Sequence, residues 1–241
     1  MIECAFRAPA AFASSPPACI LISMEPAILR ELLAPFIPSD ELDDPMVTSI
    51  QVHLDLLLRW NQHMNLTALR TPEEIVTRHF GESLFAARHL FPRQPLPTST
   101  ALDVFDLGSG AGFPGLPIKY WAPHLQLTLI ESHGKKSTFL REIGRALQLS
   151  AFTVLNARAE TIPQRASLVT LRAVEKFDHA ILTASGLLAP GGRLAILIGE
   201  SQRNRALSIL PPGQTESFPL PSSEQRILLT WRPLRQQPER R

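Results

Sequence analysis

The sequence predicts an α/β fold, an open and mostly parallel sheet with helices on both faces, behind a helical N-terminal segment. Three observations predict it. From about residue 101 onward, strand, loop and helix patterns alternate repeatedly. Between Met24 and residue 91, apolar residues recur at helical spacing. Between the two lies a proline-rich connection, Pro92-Arg-Gln-Pro-Leu-Pro-Thr-Ser99.

The helical part opens after Met24. Ile28, Leu29, Leu32 and Leu33 share one face, and Pro35 and Pro38 stop the helix. A second helix is predicted from Pro45 to Met64, with Val47, Ile50, Leu54, Leu57 and Leu58 at a period of 3.6. Asn65-Leu-Thr-Ala-Leu-Arg70 reads as a loop. Thr71, Pro72, Glu73 and Glu74 read as an N-cap, a proline at the first helical position and two first-turn acids, so a helix runs from there to about Leu90.

The α/β part follows in order. Strands are predicted at Ala101–Leu107, Leu125–Ile130, Phe152–Leu155, Leu168–Leu171 and Arg193–Ile198, with Arg226–Trp231 as a final strand. Helices are predicted at Gly115–Trp121, Lys135–Leu147 and Phe177–Leu188, and Pro190-Gly-Gly192 as a turn before the fifth strand. The division expected from this pattern is a tail (1–23), a helical cap (24–91), a linker (92–100) and an α/β domain (101–235).

Composition narrows the class. Of the 241 residues, 44% are hydrophobic and 19% charged, which suits a folded chain with a real core. No apolar run approaches membrane-spanning length. The net charge of +2 hides an asymmetry: residues 1–100 hold 7 Lys/Arg against 11 Asp/Glu, the remainder 17 against 11. A basic C-terminal part suits a polyanionic partner, or is an ordinary solvated surface. Cys4 and Cys19 are the only cysteines, so a disulfide framework is not expected and a reducing cytoplasm fits. Residues 1–23 are read as a disordered tail or as sequence ahead of a true start at Met24.

The chemistry-bearing motif is Asp106-Leu-Gly-Ser-Gly-Ala-Gly-Phe-Pro-Gly115, between a strand and a helix. Glycine at 108, 110 and 112 permits a sharp turn and close approach of a ligand. A dinucleotide fingerprint needs its third glycine at the sixth position, which is Phe113 here. The spacing instead suits the Gly-x-Gly-x-Gly loop of methyltransferases. Glu131 ends the second strand 19 residues after Gly112, where a carboxylate can accept from ribose hydroxyls. Asn156-Ala-Arg-Ala-Glu160 follows the third strand, where a backbone N–H and the Glu160 carboxylate can hold an adenine edge. Arg172 ends the fourth strand and can hold a carboxylate or phosphate, or pair with Glu175. Lys135, Lys136, Arg141 and Arg145 are either phosphate contacts or a solvated face. His79 lies on the helix that follows Thr71, with no second histidine at metal-ligand spacing, and no metal is expected.

Together these residues resemble a known family. From about Leu57 to Gln202, some 60% of the chain, the sequence is similar to the small-subunit rRNA guanine-N7 methyltransferase G family (RsmG, formerly glucose-inhibited division protein B). The resemblance rests on Trp60-Asn61, Asn65-Leu-Thr67, Arg78-His79 with Ser83, the 106–115 motif, Glu131-Ser132 with Gly134-Lys-Lys136, Phe139-Leu140 and Arg172-Ala173.

The resemblance implies a Rossmann-like class I methyltransferase fold with a seven-stranded sheet. It implies a cytoplasmic, monomeric enzyme using S-adenosyl-L-methionine to methylate N7 of a guanine in the 530 loop of 16S rRNA, free or in the 30S subunit. Cofactor contacts carried over are Gly108, Phe113, Ala159, Glu160 and Arg172, with Glu131 at the ribose position and Gly110 and Gly112 completing the loop. Phe113 serves either the adenine or the acceptor base. Asn65, Arg78 and His79 are candidates for positioning the substrate.

Two departures stand out. Glu82 replaces a common Asp. The fifth strand ends Ile198-Gly199-Glu200 without the usual lysine, so Arg203 or Arg205 is expected to substitute. Guanine N7 carries a free lone pair and needs no general base. Asn65 and Glu82 are candidates for stabilising the cationic product. The competing readings are a methyltransferase with a DNA, protein or small-molecule acceptor, and a non-catalytic adenosylmethionine- or RNA-binding factor. No Asn-Pro-Pro-Tyr-type motif follows the fourth strand, which disfavours exocyclic amino targets.

Overall fold

The computed structural model describes residues 24–92, 102–172 and 176–234. The expectations placed on residues 1–23, on most of the proline-rich connection and on Ala173 and Glu175 lie outside these residues.

Helix α1 (Pro26–Leu33) is followed by α2 (Asp44–Asn61), whose N-cap Asp43 accepts from the Met46 N–H at 2.9 Å. α2 ends at Asn61, short of the predicted Met64. The Asn61 side-chain oxygen accepts from the N–H groups of Leu66 (2.9 Å) and Thr67 (3.1 Å), drawing the chain into the loop instead. Thr71 and Glu74 form a full capping box at the start of α3 (Pro72–Ile75). The predicted single helix to Leu90 is in fact α3, a π-helical stretch (Val76–Gly81) and α4 (Glu82–Leu90). Such π turns are rare and frequently mark functional sites. Here Gly81 packs so closely on Phe36 that a Cβ would lie 2.5 Å from its ring.

The sheet contains β1 (Asp103–Leu107), β2 (Gln126–Ile130), β3 (Phe152–Leu155), β4 (Ala166–Arg172), β5 (Leu188–Gly199), β6 (Gly213–Pro219) and β7 (Arg226–Pro233). Its order is β3-β2-β1-β4-β5-β7-β6. The first five strands are parallel; β7 runs antiparallel to β5, and β6 antiparallel to β7. The remaining helices are α5 (Gly115–Trp121), α6 (Gly134–Ala146), α7 (Phe177–Gly186) and α8 (Arg203–Ile209). None of the described helices is long and apolar enough to cross a membrane.

Strand alternation sorts the core into two layers. Val104, Leu127, Leu129, Leu168 and Leu197 face α5, α6 and the N-terminal helices, in one cluster with Leu29, Leu54, Phe80 and Phe139. Phe105, Ile130, Val169, Leu171 and Ile196 face α7 and α8. The N-terminal helices therefore extend one helical layer of the sheet and share its core.

Two further predictions are corrected. Pro190-Gly-Gly192 is not a turn before β5 but lies inside it, where pairing jumps from Ala166↔Leu188 to Leu168↔Arg193 as a bulge, with Gly191 at φ +76°. The preceding helix accordingly stops at Gly186. β6 and α8 were not anticipated. β6 is an exposed edge of polar residues without apolar alternation, and its Gly213 lets the Trp231 ring approach.

Candidate active site at the glycine loop

Strand order reverses between β1 and β4, so ligands are expected beyond their C-terminal ends. The glycine loop stands there. Gly108, Gly110 and Gly112 have φ of +64°, +54° and +91°, which side-chain-bearing residues rarely adopt. Asp106, at the end of β1 and fully buried, braces the loop. One carboxylate oxygen accepts from the Thr170 hydroxyl (2.6 Å) and the other from the Gly115 N–H (3.3 Å). Burial lifts the Asp106 carboxyl to about 6. Glu131 braces it from β2. Its two oxygens accept from the N–H groups of Gly110 (2.9 Å) and His133 (2.8 Å).

Two cavities meet at this loop. One, of about 620 Å³, is lined by Glu131, Ser132, Ala159, Glu160 and Leu171 among others. The second, of about 570 Å³, is lined by Thr67, Arg78, His79, Glu82, Arg172 and Arg226 among others. Gly108 and Lys136 line both, so the two are halves of one cleft. Each is of ligand-binding size.

The floor of the second cavity is an aromatic stack. Phe113 stacks with two imidazoles, its centroid 4.9 Å from that of His53 and 4.8 Å from that of His79, with Phe80 edge-on to it. His53 is buried; its Nε2–H donates to the Ala111 carbonyl (2.9 Å), so its Nδ1 accepts from the Tyr120 hydroxyl (3.1 Å). Burial holds His53 at about 3. Burial, helped by Arg172 and Arg78, holds His79 at about 2. His79 Nε2 shares a 2.7 Å hydrogen bond with the Thr67 hydroxyl. Both histidines are neutral at physiological pH.

The polar wall of this cavity is centred on Glu82, which is 2% exposed. Arg172 pairs with it at 3.0 Å and Arg226 at 2.5 Å. Arg172 also donates to the carbonyls of Arg78 (2.6 Å) and His79 (3.5 Å) within the π-helical stretch. It thus ties the N-terminal helices to the end of β4. Desolvation lowers the Arg172 guanidinium to about 10, still charged.

The family described as rRNA small subunit methyltransferase G (GidB) matches residues 46–208. The chain belongs to this family. A protein named ribosomal RNA small subunit methyltransferase G from Xanthomonas campestris pv. campestris (strain B100) is 38% identical over 190 residues, covering 78% of this chain and 85% of the relative. One of the same name from Xylella fastidiosa (strain 9a5c) is 38% identical over 174 residues, 71% of this chain and 77% of the relative. Among solved structures, a ribosomal protein L11 methylase from Lactobacillus delbrueckii subsp. bulgaricus aligns with a TM-score of 0.53 at 11% identity, covering 66% of this chain and 80% of that one. A predicted O-methyltransferase from Agrobacterium tumefaciens aligns with a TM-score of 0.52 at 19% identity, covering 63% and 80%. These two show the class I methyltransferase fold for this GidB chain.

Most residues singled out from sequence gather at the cleft. Gly108, Glu131, Ala159 and Glu160 line the first cavity; Gly108, Gly110, Phe113, Arg78, His79 and Arg172 line the second. Gly112 packs inward, against Leu116 and Leu140. Glu160 is exposed and paired with His179 at 2.6 Å. Phe113 is not a rim residue: it is 6% exposed and stacks with both His53 and His79. Asn65 is exposed and does not line either cavity; the lining segment starts one residue later, at Leu66, and its polar contribution is Thr67.

The basic candidates divide. Lys136 lines the cleft, whereas Lys135 and Arg141 are exposed on α6 without lining it, and Arg141 donates to the Val154 carbonyl. Arg203 donates to the Ser217 hydroxyl and Arg205 pairs with Asp178, and neither lines either cavity. Arg226 does reach the cavity, as the antiparallel partner of Gly199. Sequence reasoning missed His53 and Arg226, and marked Thr67 only as part of the Asn65-Leu-Thr67 motif. His53 sat in an apolar helical pattern that reads as core, and no local signal marks Arg226.

Proposed function

We propose that this chain transfers a methyl group from S-adenosyl-L-methionine to N7 of a guanine in the 530 loop of 16S rRNA. The observation that carries the reading is the divided cleft at the strand-order reversal, one half walled by Glu131 and Glu160, the other by the neutral His79 and arginines. Family membership supports the rRNA acceptor. An rRNA substrate places the activity in the cytoplasm, and we infer a monomer working on free rRNA or a 30S particle.

The residues present fit an adenosyl cofactor. A Cβ at Gly110 would meet nothing closer than the Gly108 carbonyl at 3.7 Å, so this part of the loop leaves room for a ligand. Glu131 retains free lone pairs for the ribose hydroxyls beyond the two N–H groups it already accepts. Ala159 and Glu160 line the first cavity and are assigned to the adenine, and Arg172, whose Nε–H has no partner among the described residues, to a carboxylate. When bound, the cofactor supplies an electrophilic methyl carbon.

The protein's own contribution is positioning. The N7 lone pair is already available, so no side chain has to remove a proton. His53 and His79, held neutral, add no positive charge near the reacting sulfonium. Holding donor and acceptor in near-attack geometry supplies on the order of 7–11 kcal/mol. Two measurements test the reading. N7-methylguanosine is mapped in 16S rRNA with and without the gene, and label from a tritiated methyl donor is followed into RNA and protein; label in protein alone rejects it. The kcat is expected to be flat from pH 6.5 to 9, because neither histidine titrates there. An inflection near pH 6.5 that disappears in His79→Asn rejects the neutral assignment.

A further inference from the structure

We infer that Arg226 and Arg78 form an anchor for an RNA backbone phosphate beside the acceptor base, held in place by Glu82. The inference rests on RNA being the acceptor. Charge is the first argument. Among the residues lining the second cavity, Arg78, Arg172, Arg226 and Lys136 are cationic and Glu82 is the sole carboxylate. Methyl transfer from a sulfonium to N7 keeps a positive charge in this cavity throughout. A wall with three guanidiniums against one carboxylate opposes that charge unless an anion joins it, and a nucleic-acid acceptor brings one in its phosphodiester.

Donor accounting is the second argument. Arg172 is engaged by two carbonyls and by Glu82. Arg226 directs Nη1 to Glu82 and Nε to the Ser223 hydroxyl, leaving Nη2 without a partner among the described residues. The Arg78 guanidinium is exposed and has no hydrogen-bond partner among them. Two guanidiniums with open N–H groups, reaching one cavity from different elements, match the oxygens of a phosphate. Glu82 acts through them as a positioning residue: buried, it fixes Arg226 without being able to bind an anion itself.

The test uses the full-length enzyme, its RNA substrate and S-adenosylhomocysteine as cofactor probe. Arg226→Gln is expected to raise the KM for RNA about tenfold and to reduce the salt slope of RNA binding by about 0.7. Cofactor affinity stays within about twofold of wild type. Arg226→Lys keeps the charge and is expected to keep the salt slope. If Arg226→Gln is poorly folded by thermal melting, Arg226→Gln/Glu82→Gln also removes the buried carboxylate oxygen that faced Arg226, and the same loss of slope is expected. An unchanged KM and slope overturns the inference alone. Loss of cofactor affinity at unchanged slope also overturns it, assigning Arg226 to the cofactor's carboxylate. A wild-type enzyme that labels no RNA overturns both this inference and the function on which it rests.

Discussion

The two halves of the cleft are built differently. The half walled by Glu131 and Glu160 is assembled from strand ends and the loops that follow them, held largely by backbone N–H groups. The half walled by Glu82 joins a π-helical stretch, the end of β4 and the start of β7, and holds them with buried ion pairs. Arg172 and Arg78 are 94 residues apart in sequence. One half follows from local chain geometry, whereas the other exists only once the whole sheet and the N-terminal helices have met.

The largest expected effect separates these two constructions. Glu82→Ala leaves two guanidiniums facing each other in a buried wall, and breaking a buried pair from one side costs about 3–5 kcal/mol. Glu131→Ala removes a carboxylate that accepts two backbone N–H groups next to an open cavity, and about 1–2 kcal/mol is expected. Urea unfolding of both variants checks the ordering. Equal losses would mean that the Glu82 cluster does not hold the N-terminal helices to the sheet.

That difference also explains what could be read in the sequence. The parallel sheet was legible because its buried strands are short apolar runs between helical patterns. The glycine loop and Glu131 were legible because strand-loop-helix geometry needs those residue types at that spacing. Thr71 to Glu74 announced a helix start through local hydrogen-bonding chemistry, and the capping box is there. The bulge at Pro190–Gly192 was mistaken for a turn because the same residues serve both, and only pairing with β4 tells them apart. The π-helical stretch left no mark, since Val76–Gly81 carries ordinary helix-forming spacing and its contacts, with Phe36 and Arg172, come from distant parts of the chain. Arg226 looked like any strand-edge arginine until its register opposite Gly199 put it at the cavity.

A second pair of variants sharpens the comparison within the loop itself. Gly112→Ala forces a side chain into φ +91° and places its Cβ 2.3 Å from Leu116 and 3.3 Å from Leu140, in the core beneath the loop. Strain and overpacking together are expected to cost about 3 kcal/mol. Gly110→Ala meets no comparable clash and carries only the left-handed backbone penalty of about 1 kcal/mol. Thermal melting should therefore rank them, with Gly110→Ala losing cofactor affinity more than stability. The reverse ranking would mean that the loop faces the cleft through Gly112.

The loop's brace gives a pH signature. Asp106 is raised in the folded state to about 6 from 3.8. Between these values the folded protein binds more protons at this site than the unfolded chain, so its contribution to stability falls as pH rises. It is fully favourable below pH 3.8 and fully lost above about 6. About 2 kcal/mol of wild-type stability should disappear between pH 4 and 6.5 through this group. Asp106→Asn lacks that slope, so the wild-type minus variant difference isolates it from the buried histidines. Those act in the opposite sense, since their depressed values favour the folded state less as pH falls below 6.5. A difference curve that is flat over this interval would place the Asp106 carboxyl at an ordinary value.

The smallest effect addresses the boundary between the two halves. Lys136, at the start of α6, lines both cavities and is only partly exposed. A single charge at the shared wall should act on a ligand in either half. Its attraction is screened by the open cleft, so Lys136→Ala is expected to weaken cofactor and RNA binding by about 1 kcal/mol each, near fivefold. Lys135, exposed and one position away, lines neither cavity, and Lys135→Ala should move RNA binding alone, through the salt slope. Calorimetry with S-adenosylhomocysteine and filter binding with RNA at two salt concentrations read both quantities. If Lys136→Ala moves one affinity and leaves the other untouched, the cleft is two independent sites, and the cofactor and acceptor halves do not share a wall through this side chain.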